Sequence, residues 1–342
     1  MDKKCIVIFM DEETDQTYNR KPLMLQDVLF CPVLNWCMRA WMKKGVMRFF
    51  IVCEEEYQQE AMACVPEGAA AAVGTEEEYH RDIGEFAHGR WVEEVREAMM
   101  PVGSMMLSFR TTAELVRLRQ AVKEDIAIFH QKTGVRVLDI DCTYIDPRVT
   151  IGAGTTILPG TILRGHTVIG ENCEIGPNAM IVDCEIGDGC VVNASQAFES
   201  VLGKGVHVGP YAHIRPNCRL GDGCKAGAFV EIKNASFGPG TKMSHLTYVG
   251  DADVGSGVNF GCGTITSNYD GFRKHRTVIG DHAFIGCNTN LVPPVTVGEG
   301  AYIAAGTTVT KDIEPDALAI SRVRQENKPG WAKARREMHR KK

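Results

Sequence analysis

Residues 242–251 read KMSHLTYVGD and place His245 between Lys242 and Tyr248. An imidazole changes charge near neutrality, so a histidine here is suited to take a proton from an incoming nucleophile. It is equally suited to packing a wall, and the segment alone leaves both readings open. Three further cationic side chains occur in distinctive settings: Arg215 in YAHIRPN, Lys233 in VEIKNA and Lys274 in FRKHR. Arginine, lysine and tyrosine are the natural partners of a phosphate dianion. Asn259 in VNFG, and Asn268 and Tyr269 in SNYDG, add neutral hydrogen-bonding groups. The chain has 13 cysteines but no CxxC pair, which argues against a zinc site and for reduced thiols. Cys262 is the sharpest candidate for a nucleophile, set against a plain wall position.

These residues sit in a stretch that beats in sixes. From Ile151 the aliphatic positions are Ile157, Leu163, Ile169, Ile175 and Ile181. They resume at Leu202, Val208, Ile214, Leu220, Ala226 and Ile232, and again at Ile279, Ile285, Leu291, Val297, Ile303 and Val309. Glycine often follows the aliphatic residue, as in Ile169-Gly170 and Ile285-Gly286. Six residues are too few for a helix-turn-helix unit. They suit a short strand, a turn and one inward aliphatic side chain per face, stacked into a parallel β-helix. The beat breaks over GCGTITSNYDGFRKHRTV, an insertion that a solenoid carries as a loop on one face. Asn268 to Gly271 give this loop its turn, and Arg273, Lys274 and Arg276 make it basic.

The segment FVEIKNASFGPGTKMSHLTYVGDADVGSGVNFGCGTITSNYDGFRKHRTVIGD is specific enough to resemble a known family. So are AYIAAGTTVTKDI, ALAISRVRQ and TGVRVLDIDCTYIDPRVTIGAGTTILPGT. All resemble the acetyltransferase half of the bifunctional N-acetylglucosamine-1-phosphate uridyltransferase/glucosamine-1-phosphate N-acetyltransferase, over roughly residues 105 to 331. The resemblance implies left-handed coils, homotrimers with sites between subunits, and acetyl transfer from acetyl-CoA to the amine of glucosamine 1-phosphate. It implies His245 as general base, with Arg215, Lys233 and Lys274 on the sugar phosphate. Tyr248 would hold the phosphate or sugar, and Asn259, Asn268 and Tyr269 would position substrate. Cys262, Cys287, Ala305 and Arg322 would line the acetyl-CoA site. The family commonly has alanine at position 262 and serine at 287. Cysteine is close in size to both, but a thiol hydrogen-bonds more weakly than a hydroxyl. Acetyl transfer of this type needs no metal.

The front of the chain reads differently. KKCIVIF suggests a strand, PLMLQDVLFCPVLNWCMRAWMKKGV a loop and amphipathic helix, and MRFFIVCEE a second strand. That order begins a nucleotide-binding α/β domain. It resembles a shortened form of the family's uridyltransferase half, with Lys21-Pro22 near an expected proline-lysine pair. The family's glycine-rich loop is replaced by FMDEETDQTYNR, whose Asp11, Glu12, Glu13 and Asp15 would repel a triphosphate. Ser108 or Phe109 stands where a metal-binding asparagine is expected. Uridyl transfer is therefore expected to be lost. EEEYQQEAMACVPEGAAAAVG suggests a helix running into a loose loop.

The expected organisation is an α/β nucleotidyltransferase-like remnant over 1–110, a linking helix over 111–135, a left-handed parallel β-helix over 136–315 and a basic tail over 316–342. The last eight residues are expected to be frayed and solvated. The net charge of −5 gives no case for nucleic acid. No apolar run reaches the roughly 18 residues a membrane span needs, and a cytoplasmic location is expected. Two other functions are open: acyl transfer to a different amino sugar, and a non-catalytic trimeric scaffold derived from the bifunctional enzyme.

Overall fold

A computed structural model describes residues 5–10, 22–43, 45–78 and 112–340. The chain divides at Pro210/Tyr211 into two compact units.

The first unit opens with three parallel strands. Arg48–Val52 lies between Cys5–Phe9 and Ala70–Gly74. The helix Val33–Met42 buries Val33, Leu34 and Met38, the apolar side that its sequence spacing predicts. The expected loose loop after Ala63 is instead this third strand: Ala70–Gly74 pairs along its whole length with Arg48–Val52. Its run of alanines carries little strand propensity, so the pairing rather than the side chains makes it a strand. The acidic loop 11–21 and the positions Ser108 and Phe109 lie outside the described residues.

The helix Thr112–Lys132 leads into the first coil, where Arg136–Val137 pairs with Thr156–Ile157. Ile126 and Ala127 of the helix meet Val137, Ile140 and Ile145, so an apolar helix face covers the first coil. Lys123 is held there by donating to the Asp141 carbonyl at 2.6 Å while lying 4.2 Å from the Tyr144 ring centre. Above it, each short strand pairs in parallel with its equivalents in the coils before and after. The pairs Thr156↔Glu174 and Glu174↔Val191 are examples.

The second unit repeats this construction from His213–Ile214 to Leu318–Ala319, the latter paired with Tyr302–Ile303. All the aliphatic residues of the six-residue beat are buried, from Ile151 to Val309. They stack in ladders, as in Ile214↔Ile232↔Val249. Threonines at the turns close the corners from inside: Thr264 and Thr289 each donate a hydroxyl to a carbonyl at the preceding turn, Gly261 and Gly286. The fold is thus an α/β segment followed by a left-handed parallel β-helix of hexapeptide repeats. The basic end is not frayed throughout, since Trp331–Arg340 forms a helix. Trp331 and Met338 are exposed on it. No helix among the described residues is long and apolar enough to cross a membrane.

Candidate active site

The candidate residues fall on two features of the second unit. The first is a corner of the coil stack. The register Lys242↔Asn259, Met243↔Phe260 carries His245 directly beneath Cys262. The pair Phe260↔Ile285 carries Cys262 beneath Cys287, and Ile285↔Ile303 carries Cys287 beneath Ala305. Cross-coil bonds tie the corner together: Asn288 N–H donates to the Cys262 carbonyl and Gly306 N–H to the Cys287 carbonyl, both at 2.8 Å. The backbone approach is close. A Cβ at Gly261 would stand 2.5 Å from the Cys287 nitrogen, so only glycine fits. Arg322 donates to the Ala305 carbonyl, which brings the C-terminal segment onto the same corner. His245, Cys287 and Ala305 are exposed and Cys262 is half-buried. Asn259 projects from the adjoining strand, between Lys242 and Phe284.

The second feature is a cationic cluster on the neighbouring face. Arg215 lies one coil below Lys233, its N–H bonded to the Ile232 carbonyl at 2.9 Å. Lys274 foremost, then loss of solvent and the charge of Arg215, hold the Lys233 ammonium below the usual lysine range. Asp251 acts on it in the opposite sense. Glu231 takes the Arg215 guanidinium at 2.9 Å across a half-exposed surface. Three cations gathered on one face are suited to receiving a phosphate.

Tyr248 and Asn268 join the two features. The Asn268 amide approaches the Tyr248 hydroxyl at 3.5 Å and donates to Asp251 at 2.5 Å. Lys274 is carried by the inserted loop, where Tyr269 and Lys274 form an antiparallel bridge. The Tyr269 hydroxyl donates to the Gly271 carbonyl at 2.6 Å, so it braces the loop that presents Lys274. Asp270 holds the same turn. It accepts from the Phe272 and Arg273 N–H groups and pairs with His275, each at 2.7 Å. Those contacts, the Arg273 N–H foremost, bring its carboxyl down to about 2. At the base of the loop Arg276 pairs with Asp253 and donates to the Asn234 and Ala252 carbonyls.

Sequence reasoning missed Asp251, His275 and the Arg276–Asp253 pair. Asp270 was read as part of the turn, as an aspartate before glycine suggests, but not as the carboxylate that gathers Phe272, Arg273 and His275. Asp251 carried no signal beyond the motif HLTYVGD. Two other histidines, His207 and His213, lie in short strands of the coil walls.

The class is set by the repeat. A family model described as bacterial transferase hexapeptide (six repeats) matches residues 148–183, 199–234 and 276–311. Those stretches stop short of the segment from Ala235 to His275, which holds most of the candidate residues. The nearer relationship is with proteins named bifunctional protein GlmU. One from Geobacillus sp. (strain WCH70) is 52% identical over 217 residues, covering 64% of this chain and 47% of that protein. Another, from Caldanaerobacter subterraneus subsp. tengcongensis, is 48% identical over 258 residues, covering 74% and 56%. These alignments uphold the GlmU-type resemblance drawn from the motifs. The chain spans about half the length of the curated relatives it matches. Among solved structures, a UDP-N-acetylglucosamine acyltransferase from Campylobacter jejuni matches at 17% identity with a TM-score of 0.31, over 51% of this chain and 70% of that one.

Proposed function

We propose that the protein transfers acetyl from acetyl-CoA to the amine of glucosamine 1-phosphate. The observation that carries this reading is the crowding of Lys233 by Lys274 and Arg215 beside a corner that holds His245. The cluster suits the sugar phosphate, and the corner suits the thioester. The similarity to GlmU proteins supports the same substrate pair.

In this reading Arg215, Lys233 and Lys274 bind the phosphate, while Tyr248, Asn259 and Asn268 orient the sugar. The coenzyme lies along the corner formed by Cys262, Cys287 and Ala305, with Arg322 beside it. His245 removes a proton from the acceptor ammonium, and the free amine attacks the thioester carbonyl. Backbone N–H groups of the corner steady the oxyanion. The C–S bond then breaks, the amide forms, and the CoA thiolate takes up a proton. No covalent enzyme intermediate is required, so Cys262 acts as wall and not as nucleophile. A second copy of the chain completes each site, giving a homotrimer. The glycine-free acidic loop after the first strand leaves the front segment without uridyl transfer, and the location is cytoplasmic.

The test is CoA release by purified protein given acetyl-CoA and glucosamine 1-phosphate, with a UTP titration of the same sample. Wild-type turnover, no UTP binding and a rate loss of about 10²- to 10⁴-fold in His245→Ala are expected. A folded protein that releases no CoA would sink the reading.

A further inference from the structure

Among the described residues only Asp146 and Asp251 are buried carboxylates, at 0% and 5% exposure. Asp146 is explained by Arg148, which grips both of its oxygens at 2.9 and 2.6 Å. Asp251 is held otherwise. Its Oδ1 accepts from Asn234 Nδ2 and its Oδ2 from Asn268 Nδ2, both at 2.5 Å. The three residues stack at one turn of successive coils, with Asn234 and Asp251 between the register pairs Lys233↔Gly250 and Ala235↔Ala252. Asn234 and Asp251 both adopt left-handed backbone, at φ 46 and 51, which aspartate and asparagine tolerate better than most residues. Burying an ionised carboxylate is costly without compensation. Here the charges of Lys233 and Arg276 act on it in addition to the two amides.

A carboxylate is the one side chain that accepts on both sides and donates on neither. It therefore forces both flanking amides to face it with their NH₂ groups. A third asparagine in the middle would read only one neighbour correctly and would leave the sense of the other undetermined. The fixed sense has a consequence at Asn268. Its Nδ2 is committed to Asp251 and directed at the Tyr248 hydroxyl, so its carbonyl oxygen, in the same amide plane, points away from Asp251.

We infer that Asp251 is a positioning residue that locks Asn268 as a hydrogen-bond acceptor toward the acceptor substrate, selecting a ligand that presents N–H or O–H there. This rests on the proposed amino-sugar phosphate reading. It deepens that reading by naming the group that distinguishes an amine or hydroxyl from an acceptor-only ligand atom. Gly250 protects the arrangement: a Cβ there would overlap the Tyr248 hydroxyl and stand 2.8 Å from Asn268 Nδ2.

The experiment is steady-state kinetics on three variants, with thermal unfolding of each. Asp251→Asn is expected to raise KM for glucosamine 1-phosphate about tenfold, the value of one misdirected hydrogen bond, with a smaller change in kcat. Asn234→Asp combined with Asp251→Asn moves the carboxylate one coil down. The amide at 251 must then donate to position 234 and offer its oxygen to Asn268, so KM is expected to return toward wild type. Asn268→Asp combined with Asp251→Asn also restores every contact and, because a carboxylate accepts on both sides, keeps an acceptor toward the substrate, so KM is expected to return there too. Asp251→Asn alone is expected to hold its melting temperature, since a reversed Asn268 amide still satisfies the stack, while its KM rises. A purely structural role predicts instead that KM follows the melting temperature through all three variants, and that result would overturn the inference, as would an unchanged KM in Asp251→Asn. If the wild type shows no turnover, the substrate reading fails first. Crystal structures of wild type and Asp251→Asn then decide the positioning role: an Asn268 side chain and Tyr248 contact unchanged by the substitution overturn it, and a reoriented Asn268 upholds it.

Discussion

At the scale of single residues, the cationic cluster works against the stability of the protein that carries it. Lys274 and Arg215 depress the Lys233 pKa, which means that the folded chain disfavours the charged form of Lys233. For a lysine with a lowered folded pKa, the penalty is present in full at neutral pH, begins to shrink as pH rises past the lowered folded value and is gone above the ordinary lysine value of the unfolded chain. An anion bound to the cluster removes it at any pH. Lys274→Met therefore has opposite effects on stability and affinity. The melting temperature of the free protein is expected to hold or rise, while KM for the sugar phosphate rises about ten- to hundredfold, as for a charged hydrogen bond lost. Thermal unfolding and kinetics at pH 7 check both, and a variant that loses stability would show that Lys274 has a structural partner instead. The cations were legible in the sequence because Arg215, Lys233 and Lys274 sit in motifs that can be matched one by one. Asp251 was not legible as a role. Its meaning comes from being stacked between Asn234 and Asn268, and that register exists only once the coils are wound.

At the scale of elements, the period of six gave the ladders correctly because each aliphatic residue has one inward position and no alternative. Ile232 beneath Val249 follows directly from that constraint. The strand Ala70–Gly74 and the helix Trp331–Arg340 were missed for different reasons: the strand's alanines show no apolar alternation, and the helix, although amphipathic, is strongly basic and exposed, which reads as a solvated tail. The inserted loop lies between these cases. Its turn was readable from Asn268 to Gly271, but the way Asp270 gathers two N–H groups and His275 was not. This makes the loop acid-sensitive. The Asp270 carboxyl falls from 3.8 to about 2 on folding, so its contribution is complete above the unfolded value and is lost as pH drops from about 4 toward 2. Hydrogen exchange of residues 269–275, corrected for intrinsic rates, is expected to accelerate across that window while the buried ladders stay protected. Asp270→Asn is expected to show the faster exchange already at neutral pH. Equal protection in variant and wild type would mean that the Tyr269–Lys274 bridge holds the loop unaided.

At the scale of the whole molecule, the candidate site occupies an open corner. His245 is exposed, although a base must work where water is restricted. Next to it the corner presents apolar side chains to solvent: Tyr211 and Phe229 stack at 5.4 Å between ring centres, and Leu246 stands one coil above Phe229. All three are more than half exposed, at 63%, 58% and 58%. All three adopt positive φ, so the chain holds large side chains outward at turns where they are strained. An apolar stripe bordering an incomplete site is suited to a second copy of the same chain, whose wall would cover His245 and supply the missing side of the pocket. This is the homotrimer of the proposed function. Phe229→Asp tests it without disturbing the turn, because aspartate accepts the left-handed conformation there. Sedimentation is expected to show the wild type as a trimer and the variant shifted toward monomer. CoA release is expected to fall in proportion to the trimer lost and to recover at high protein concentration. A variant that remains trimeric and active would place the contact elsewhere. A wild type that is monomeric yet turns over would mean that one corner, with His245 in open solvent, is sufficient for catalysis.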